Sequence, residues 1–161
     1  MEVCMLHGGS GIGGCWEEKM VSNIIINSGN ISAYGLSTVG SGIGGGQQTY
    51  VGNIEINGGN IIASAPKACG IGSYTTAAER ITINGGNITA NGGEYGEAIG
   101  NTKNLQINGG NINAYAVSYS RPAISATELV EINGGNVVAN SIRISRNWCY
   151  DRWRKDKNNR W

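Results

Sequence analysis

One phrase constrains this chain more than anything else in it. It reads INSGN at Ile26 and INGGN at Ile56, Ile83, Ile107 and Ile132, at intervals of 30, 27, 24 and 25 residues. A second, weaker phrase precedes each copy: GIG around Ile12, Ile43 and Ile71, AIG around Ile99 and AIS around Ile124. Self-similarity at a period near 26 residues marks a repeat architecture, in which no unit buries its apolar face alone and neighbours stack to share one core. Five units follow one another in a chain of 161 residues. A chain of that length holds one domain or one compact array and leaves no room for a large multidomain enzyme.

Within a unit the pattern is x-I-x-I-N-G-G-N-I-x-A, as in Asn53 to Ala63. Alternation with period two on both sides of an Asn-Gly-Gly corner predicts two short strands joined by a turn that needs positive φ. Asn-Gly is also the leading hairpin signal, so an antiparallel meander is the competing topology. The arms are short, however, and 15 to 17 residues then follow before the next GIG phrase, more than a chain of hairpins needs. Three short apolar strands per unit, separated by Gly and Asn corners, fit one coil of a parallel β-helix. The predicted fold is therefore all-β, a single-stranded parallel β-helix of about five three-strand coils over residues 1–141.

In-register stacking sends Ile12, Ile43, Ile71, Ile99 and Ile124 inward from strand one. Strand two adds Ile24/Ile26, Ile54/Ile56, Ile81/Ile83, Leu105/Ile107 and Val130/Ile132. Strand three adds Ile31/Ala33, Ile61/Ala63, Ile88/Ala90, Ile112/Ala114 and Val137/Ala139. Two asparagine columns, Asn27-Asn57-Asn84-Asn108-Asn133 and Asn30-Asn60-Asn87-Asn111-Asn136, should stack at the corner as amide ladders along the axis.

Composition agrees with a repeat: Gly, Asn and Ile supply 68 residues, Phe is absent and Asp occurs twice. With 40% apolar and 14% charged residues the chain is too apolar for disorder. No apolar run is long enough for a membrane helix, and MEVCMLHGGSGIGG lacks the regions of an export signal, so neither a membrane partner nor a signal peptide is expected. Cys4, Cys15, Cys69 and Cys149 show no zinc spacing, and His7 is the lone histidine.

Charge is split along the chain. Residues 1–142 balance at −4 and residues 143–161 at +5. The segment 142–161, with Trp148, Trp153 and Trp161, reads as a cap or tail. Ile142-Arg143-Ile144 would add one last strand and Trp148 would lie over the open core. Basic residues interleaved with Trp also describe a nucleic-acid patch, but the array behind them is acidic, and a cap is the better account.

SGIGGG at Ser41 to Gly46, NIEINGGNIIA at Asn53 to Ala63 and ERITINGGNITANGG at Glu79 to Gly93 resemble bacterial carbohydrate-binding β-helix domains. Those domains belong to cell-surface and secreted proteins of Clostridia and other gut or cellulolytic bacteria. The resemblance covers about residues 8–141. It implies a right-handed helix, an extracellular or cell-surface location, binding of acidic polysaccharide such as polygalacturonate, and bound calcium. With no Asp before Asp151, calcium would fall to Glu94 and Glu97 in the loop NGGEYGEAIG.

Sugar sites join aromatic platforms to amides and charges, because pyranose faces are apolar and their rims form hydrogen bonds. Trp16, Tyr50 and Tyr74 lie between GIG and the next strand. Tyr34, Tyr95, Tyr115 and Tyr119 lie in the other long connection, and Tyr34 and Tyr115 occupy equivalent places three coils apart. Either side would be a binding face, with Gln47, Gln48, Lys67, Arg80 and Lys103 as polar partners.

An enzyme is not expected. A polysaccharide lyase needs carboxylates and a cation together on one face. The outward column of strand two runs Ile25, Glu55, Thr82, Gln106, Glu131, so its acids stand three coils apart, roughly 14 Å at the β spacing. The same mixed column, with Ser32, Ile62, Thr89, Asn113 and Val138 on strand three, excludes a regular ice-binding lattice. Two classes remain. One is a noncatalytic binder of extracellular, acidic or other, polysaccharide; the other is a structural spacer or adhesin repeat whose exposed edges pair end to end.

Overall fold

The computed structural model describes residues 9–15, 20–36 and 38–144. The chain winds through coils that each present three strands. The first holds β1 (Ile12–Gly13), β2 (Met20–Ile26) and β3 (Asn30–Tyr34); the second holds β4 (Ile43–Gly45), β5 (Tyr50–Ile56) and β6 (Asn60–Ser64). The third holds β7 (Ile71–Ser73), β8 (Ala78–Ile83) and β9 (Asn87–Gly92); the fourth holds β10 (Ile99–Gly100), β11 (Thr102–Ile107) and β12 (Asn111–Ser118). The fifth has a parallel bridge from Ile124 to Ile99, then β13 (Leu129–Ile132) and β14 (Asn136–Arg143). Like strands of successive coils pair in parallel, giving one sheet of four strands and two of five. The protein is a parallel β-solenoid of about five turns, as the repeat predicts, not a meander.

Register follows the inward columns. Ile12 pairs with Ile43 and Ile43 with Ile71; Ile54 pairs with Ile81 and Ile81 with Leu105; Ala33, Ala63, Ala90, Ala114 and Ala139 run in one line. Large side chains such as Ile43, Ile54, Ile81, Ile99 and Leu105 are fully buried, each worth about 1.5–3 kcal/mol of transfer free energy. Ile24 and Ile26 of the first coil are buried too. The expected burial of the last coil is not met: Val130 is 42% and Ile132 52% exposed, because among the described residues β13 and β14 are the outermost strands of their sheets.

The glycines of the two phrases have separate reasons. At Gly44, φ is +132° and an added Cβ would overlap the Gly72 carbonyl of the next coil, so the GIG sheet can stack only through bare backbone. At the corner, Gly59 has φ +102°. Its neighbour Asn57 donates its side-chain amide to Asn27 at 3.0 Å, beginning a ladder that continues from Asn84 to Asn57 (2.7 Å), Asn108 to Asn84 (2.8 Å) and Asn133 to Asn108 (3.0 Å).

β14 runs past residue 141, where the array was expected to give way to a cap. The residues after Ser141 continue β14 along β12, with Ile142 opposite Val117 and Arg143 opposite Ser118, and do not start a separate strand. The Ile144 amide donates to the Ser118 carbonyl at 3.0 Å. The remainder of the expected cap, Trp148 included, and the opening segment MEVCML lie outside the described residues. Among the described residues no helix is long and apolar enough to cross a membrane.

Candidate functional site

The corner turns the chain so that β3, β6, β9 and β12 present Ser32, Ile62, Thr89 and Asn113 outward in one column. Beside it runs the second asparagine column. Asn60 donates to Asn30 at 2.8 Å, Asn87 to Asn60 and Asn111 to Asn87 at 2.9 Å each. The two columns line a groove of about 380 Å³ that runs along the axis over four coils. A primary amide has two N–H donors and two acceptor lone pairs, so each interior rung keeps one of each after the ladder is made. Ile62, 42% exposed, supplies an apolar floor between them. None of the groove-lining side chains titrates, so the groove can hold a ligand by packing and hydrogen bonds but offers no acid or base.

The residues selected from sequence divide into two clusters elsewhere. On the sheet of β5, β8 and β11, Tyr50 donates its hydroxyl to Glu79 Oε2 at 3.1 Å, and Lys103 Nζ bonds the same oxygen at 2.6 Å. The Lys103 hydrogen bond is the main reason the Glu79 carboxyl is held below its usual range, and the same bond raises the Lys103 ammonium above its own. Arg80 is exposed in the next outward position, in register with Asn53 and Asn104. Tyr50, Arg80 and Lys103 are thus brought to one face, with Lys103 committed to Glu79.

On the loop side, the connections that follow β6, β9 and β12 stack. The Tyr95 amide donates to the Lys67 carbonyl and the Tyr119 amide to the Glu94 carbonyl, both at 3.1 Å. The rings of Tyr95 and Tyr119 meet at 5.6 Å between centroids, tilted by 41°, and Lys67 Nζ lies 3.8 Å from Glu94. Tyr115 points outward from β12 in the column that runs through Asn91 and Ser64 to Tyr34, three coils away as the repeat implies. Tyr74 stands apart, in the turn before β8, where its amide donates to the Gly45 carbonyl. Trp16 lies outside the described residues.

Glu94 and Glu97, the expected calcium pair, turn to different partners. Glu97 is 2% exposed and its oxygens are already engaged. Oε1 accepts from Arg121 Nη1 and Ser125 Oγ, each at 3.1 Å, and Oε2 lies 3.3 Å from Cys69 Sγ. Glu94 faces Lys67 instead of Glu97. A buried carboxylate needs such partners, and these hold Glu97 toward Arg121, Ser125 and Cys69. Among the described residues no three His, Cys, Asp or Glu side chains converge as metal ligands. Burial, and then the Glu97 charge, push the Cys69 thiol well above its ordinary pKa.

Sequence reasoning did not select the groove. Its column was read only for chemical irregularity, although the alternation that fixes outward positions contains it. No local signal marks Arg121 as the partner of Glu97, since the two stand 24 residues apart in connections without a shared motif.

Comparison with known proteins gives no match among curated proteins and none among solved structures. Residues 24–47, 54–73 and 81–101 each match the family model described as the beta helix repeat, three segments that agree with the stacked coils seen here.

Proposed function

We propose that the protein is a noncatalytic carbohydrate-binding module that takes an extended polysaccharide chain lengthwise along the groove of β3, β6, β9 and β12. The observation that carries this reading is the pairing, over four coils, of a ladder of half-used amides with the outward column Ser32, Ile62, Thr89 and Asn113, in which Ile62 is the apolar contact. A sugar ring offers the complementary surface, an apolar face with a hydrogen-bonding rim. Without charge in its lining, the groove suits a neutral chain better than an acidic one. Lys67 and Lys103, which would attract uronates, are paired with Glu94 and Glu79. In this reading the module works on the outside of a cell, where such polymers are met.

The test is affinity electrophoresis in gels containing cellulosic, xylan or polygalacturonate polymers, each run with calcium and with chelator. Retardation on a neutral polymer, unaffected by chelator and abolished by Ile62→Glu with unchanged thermal stability, is the expected result. No retardation on any glycan by a folded sample would reject it.

A second reading is a spacer or adhesin repeat that joins end to end. It is favoured by the last coil, whose β13 and β14 carry the exposed Leu129, Val130, Ile132 and Ile142 and are the outermost strands of their sheets among the described residues. Sedimentation velocity over a wide concentration range separates the two, since a spacer of this kind self-associates and a monomeric binder does not.

A further inference from the structure

The chain holds five Asn-Gly pairs: Asn57-Gly58, Asn84-Gly85, Asn91-Gly92, Asn108-Gly109 and Asn133-Gly134. An asparagine followed by glycine is the most open to attack by the next backbone nitrogen, because no side chain obstructs the approach. Four of the five are rungs of the corner ladder, and the ladder is not symmetric at its ends. Asn57, Asn84 and Asn108 each donate to one neighbour and accept from another, whereas Asn133 donates to Asn108 and is the last rung among the described residues.

We propose that Asn133 is a spontaneous deamidation site, and that the ladder converts in order from Asn133 toward Asn57. In the reaction the Gly134 nitrogen gives up its proton and bonds to Asn133 Cγ, while the Cγ–Nδ2 bond breaks and ammonia leaves. The five-membered imide so formed takes up water at one of its two carbonyls, yielding aspartate or isoaspartate. Water is the sole co-reactant and nothing is oxidised or reduced.

For Cγ to reach the nitrogen, the amide must leave the ladder and the corner must flex. An interior rung has to break two ladder bonds and Asn133 one. Asn133 is also exposed, in a coil whose strands are, among the described residues, paired on one side only, β13 to β11 and β14 to β12. The same structure supplies internal comparisons. Asn91 lies within β9, held by Ser64 Oγ at 2.9 Å, with Gly92 buried and in register with Ala116. Each asparagine of the second column is followed by Ile or Val, and Asn27 by Ser28, all of which obstruct the attack.

Order along the ladder follows from the product. At neutral pH a carboxylate only accepts hydrogen bonds, so conversion of Asn133 removes the donor that held Asn108 Oδ1. Asn108 then has one ladder bond, as Asn133 had, and becomes the next site. Isoaspartate would in addition insert a methylene into the backbone at the start of the corner and disturb the register of β14.

The experiment is timed incubation of the folded full chain in mildly alkaline buffer, followed by peptide mapping that separates asparagine, aspartate and isoaspartate. A parallel sample is kept in guanidinium chloride. In the folded chain Asn133 should convert roughly two- to tenfold faster than Asn108, the factor that one hydrogen bond is worth, and the four rungs should converge in denaturant. In Asn133→Asp, Asn108 should accelerate by a similar factor. The proposal is overturned if Asn133 is no faster than the interior rungs in the folded chain, or if the same ranking persists in denaturant. Should Asn133→Asp fail to fold, the comparison within the unaltered chain still decides.

Discussion

Stacking makes the value of an inward side chain depend on which coil it occupies, and one column of the second sheet tests this directly. Ile54, Ile81, Leu105 and Val130 stand in consecutive register, yet Ile81 is fully buried between paired strands on both sides while Val130 is 42% exposed. Ile81→Ala removes three carbons from a closed site, where the lost transfer energy and the residual cavity together cost about 2–5 kcal/mol. Val130→Ala removes two carbons from a site already nearly half in water. At about 0.8 kcal/mol per buried methylene, scaled by the buried fraction, it costs about 1 kcal/mol. A chain of this size moves by roughly 2–4 °C in Tm per kcal/mol. Ile81→Ala should therefore melt roughly 5–15 °C below the parent and Val130→Ala no more than about 4 °C below it. The assay is thermal and urea unfolding followed by far-ultraviolet circular dichroism, with a second probe to detect coils that unfold separately. Equal losses at the two positions would refute the claim that the last coil is open, and a negligible loss at Ile81 would refute the stacked core itself.

Three further outcomes are expected. Cys69, buried and with its thiol held in the neutral form, should resist a thiol-disulfide reagent in the folded protein and react promptly once the chain is unfolded, as followed by absorbance. Gly44→Ala, which puts a side chain at φ +132° against the Gly72 carbonyl, should cost more than the roughly 1–3 kcal/mol of backbone strain alone, read as lost soluble yield or lowered Tm. For the Glu79–Lys103 pair, the lowered carboxyl contributes stability above its ordinary value of 4.5 that is lost as pH falls through the folded value. The raised ammonium contributes stability below 10.5 that is lost as pH rises through its own folded value. The Tm difference between the parent and Lys103→Met should thus be largest near neutrality at low salt and shrink at both extremes; a difference flat with pH would show that the pair acts through packing.

The parts of the fold legible in the sequence are those that stacking forces to recur. Every coil must place an aliphatic side chain over the one below, so Ile54, Ile81 and Leu105 announce their column. Every corner must turn between the same two strands, so Asn57, Asn84 and Asn108 announce theirs. Connections carry no such obligation. Sequence alone sets Glu97 beside Glu94 in the loop NGGEYGEAIG as a candidate calcium pair. Glu97 is buried by Arg121 and Ser125 from the following coil, whose approach depends on how tightly the glycine-rich connections stack. Gly96 packs so closely on the Ala68 carbonyl that the loop lies flat against its neighbour, and a carboxylate there faces protein instead of water. Sequence position sets Tyr50 and Tyr74 in one kind of connection and Tyr95, Tyr115 and Tyr119 in another, but their partners are set by register. Tyr50 meets Glu79 across 29 residues and Lys103 meets the same oxygen across 24.

The same distinction bears on where function is carried. Inward columns and asparagine ladders are uniform because any unlike residue would break the stack, so their uniformity is explained without a ligand. Outward columns are released from that constraint, and Ile25, Glu55, Thr82, Gln106 and Glu131 share a line of mixed chemistry. A surface able to meet a long regular ligand must nevertheless repeat. On this protein the groove of β3, β6, β9 and β12 obtains its repetition from the ladder beside it, whose spare amides recur at every coil whatever residue occupies the outward column. Specificity then falls to the variable members, Ser32, Ile62, Thr89 and Asn113, which set the floor coil by coil. A ladder kept for structure thereby supplies regular hydrogen-bonding groups at the spacing of the strands, and substitutions in the floor should change which polymer is held without changing how the rod stands.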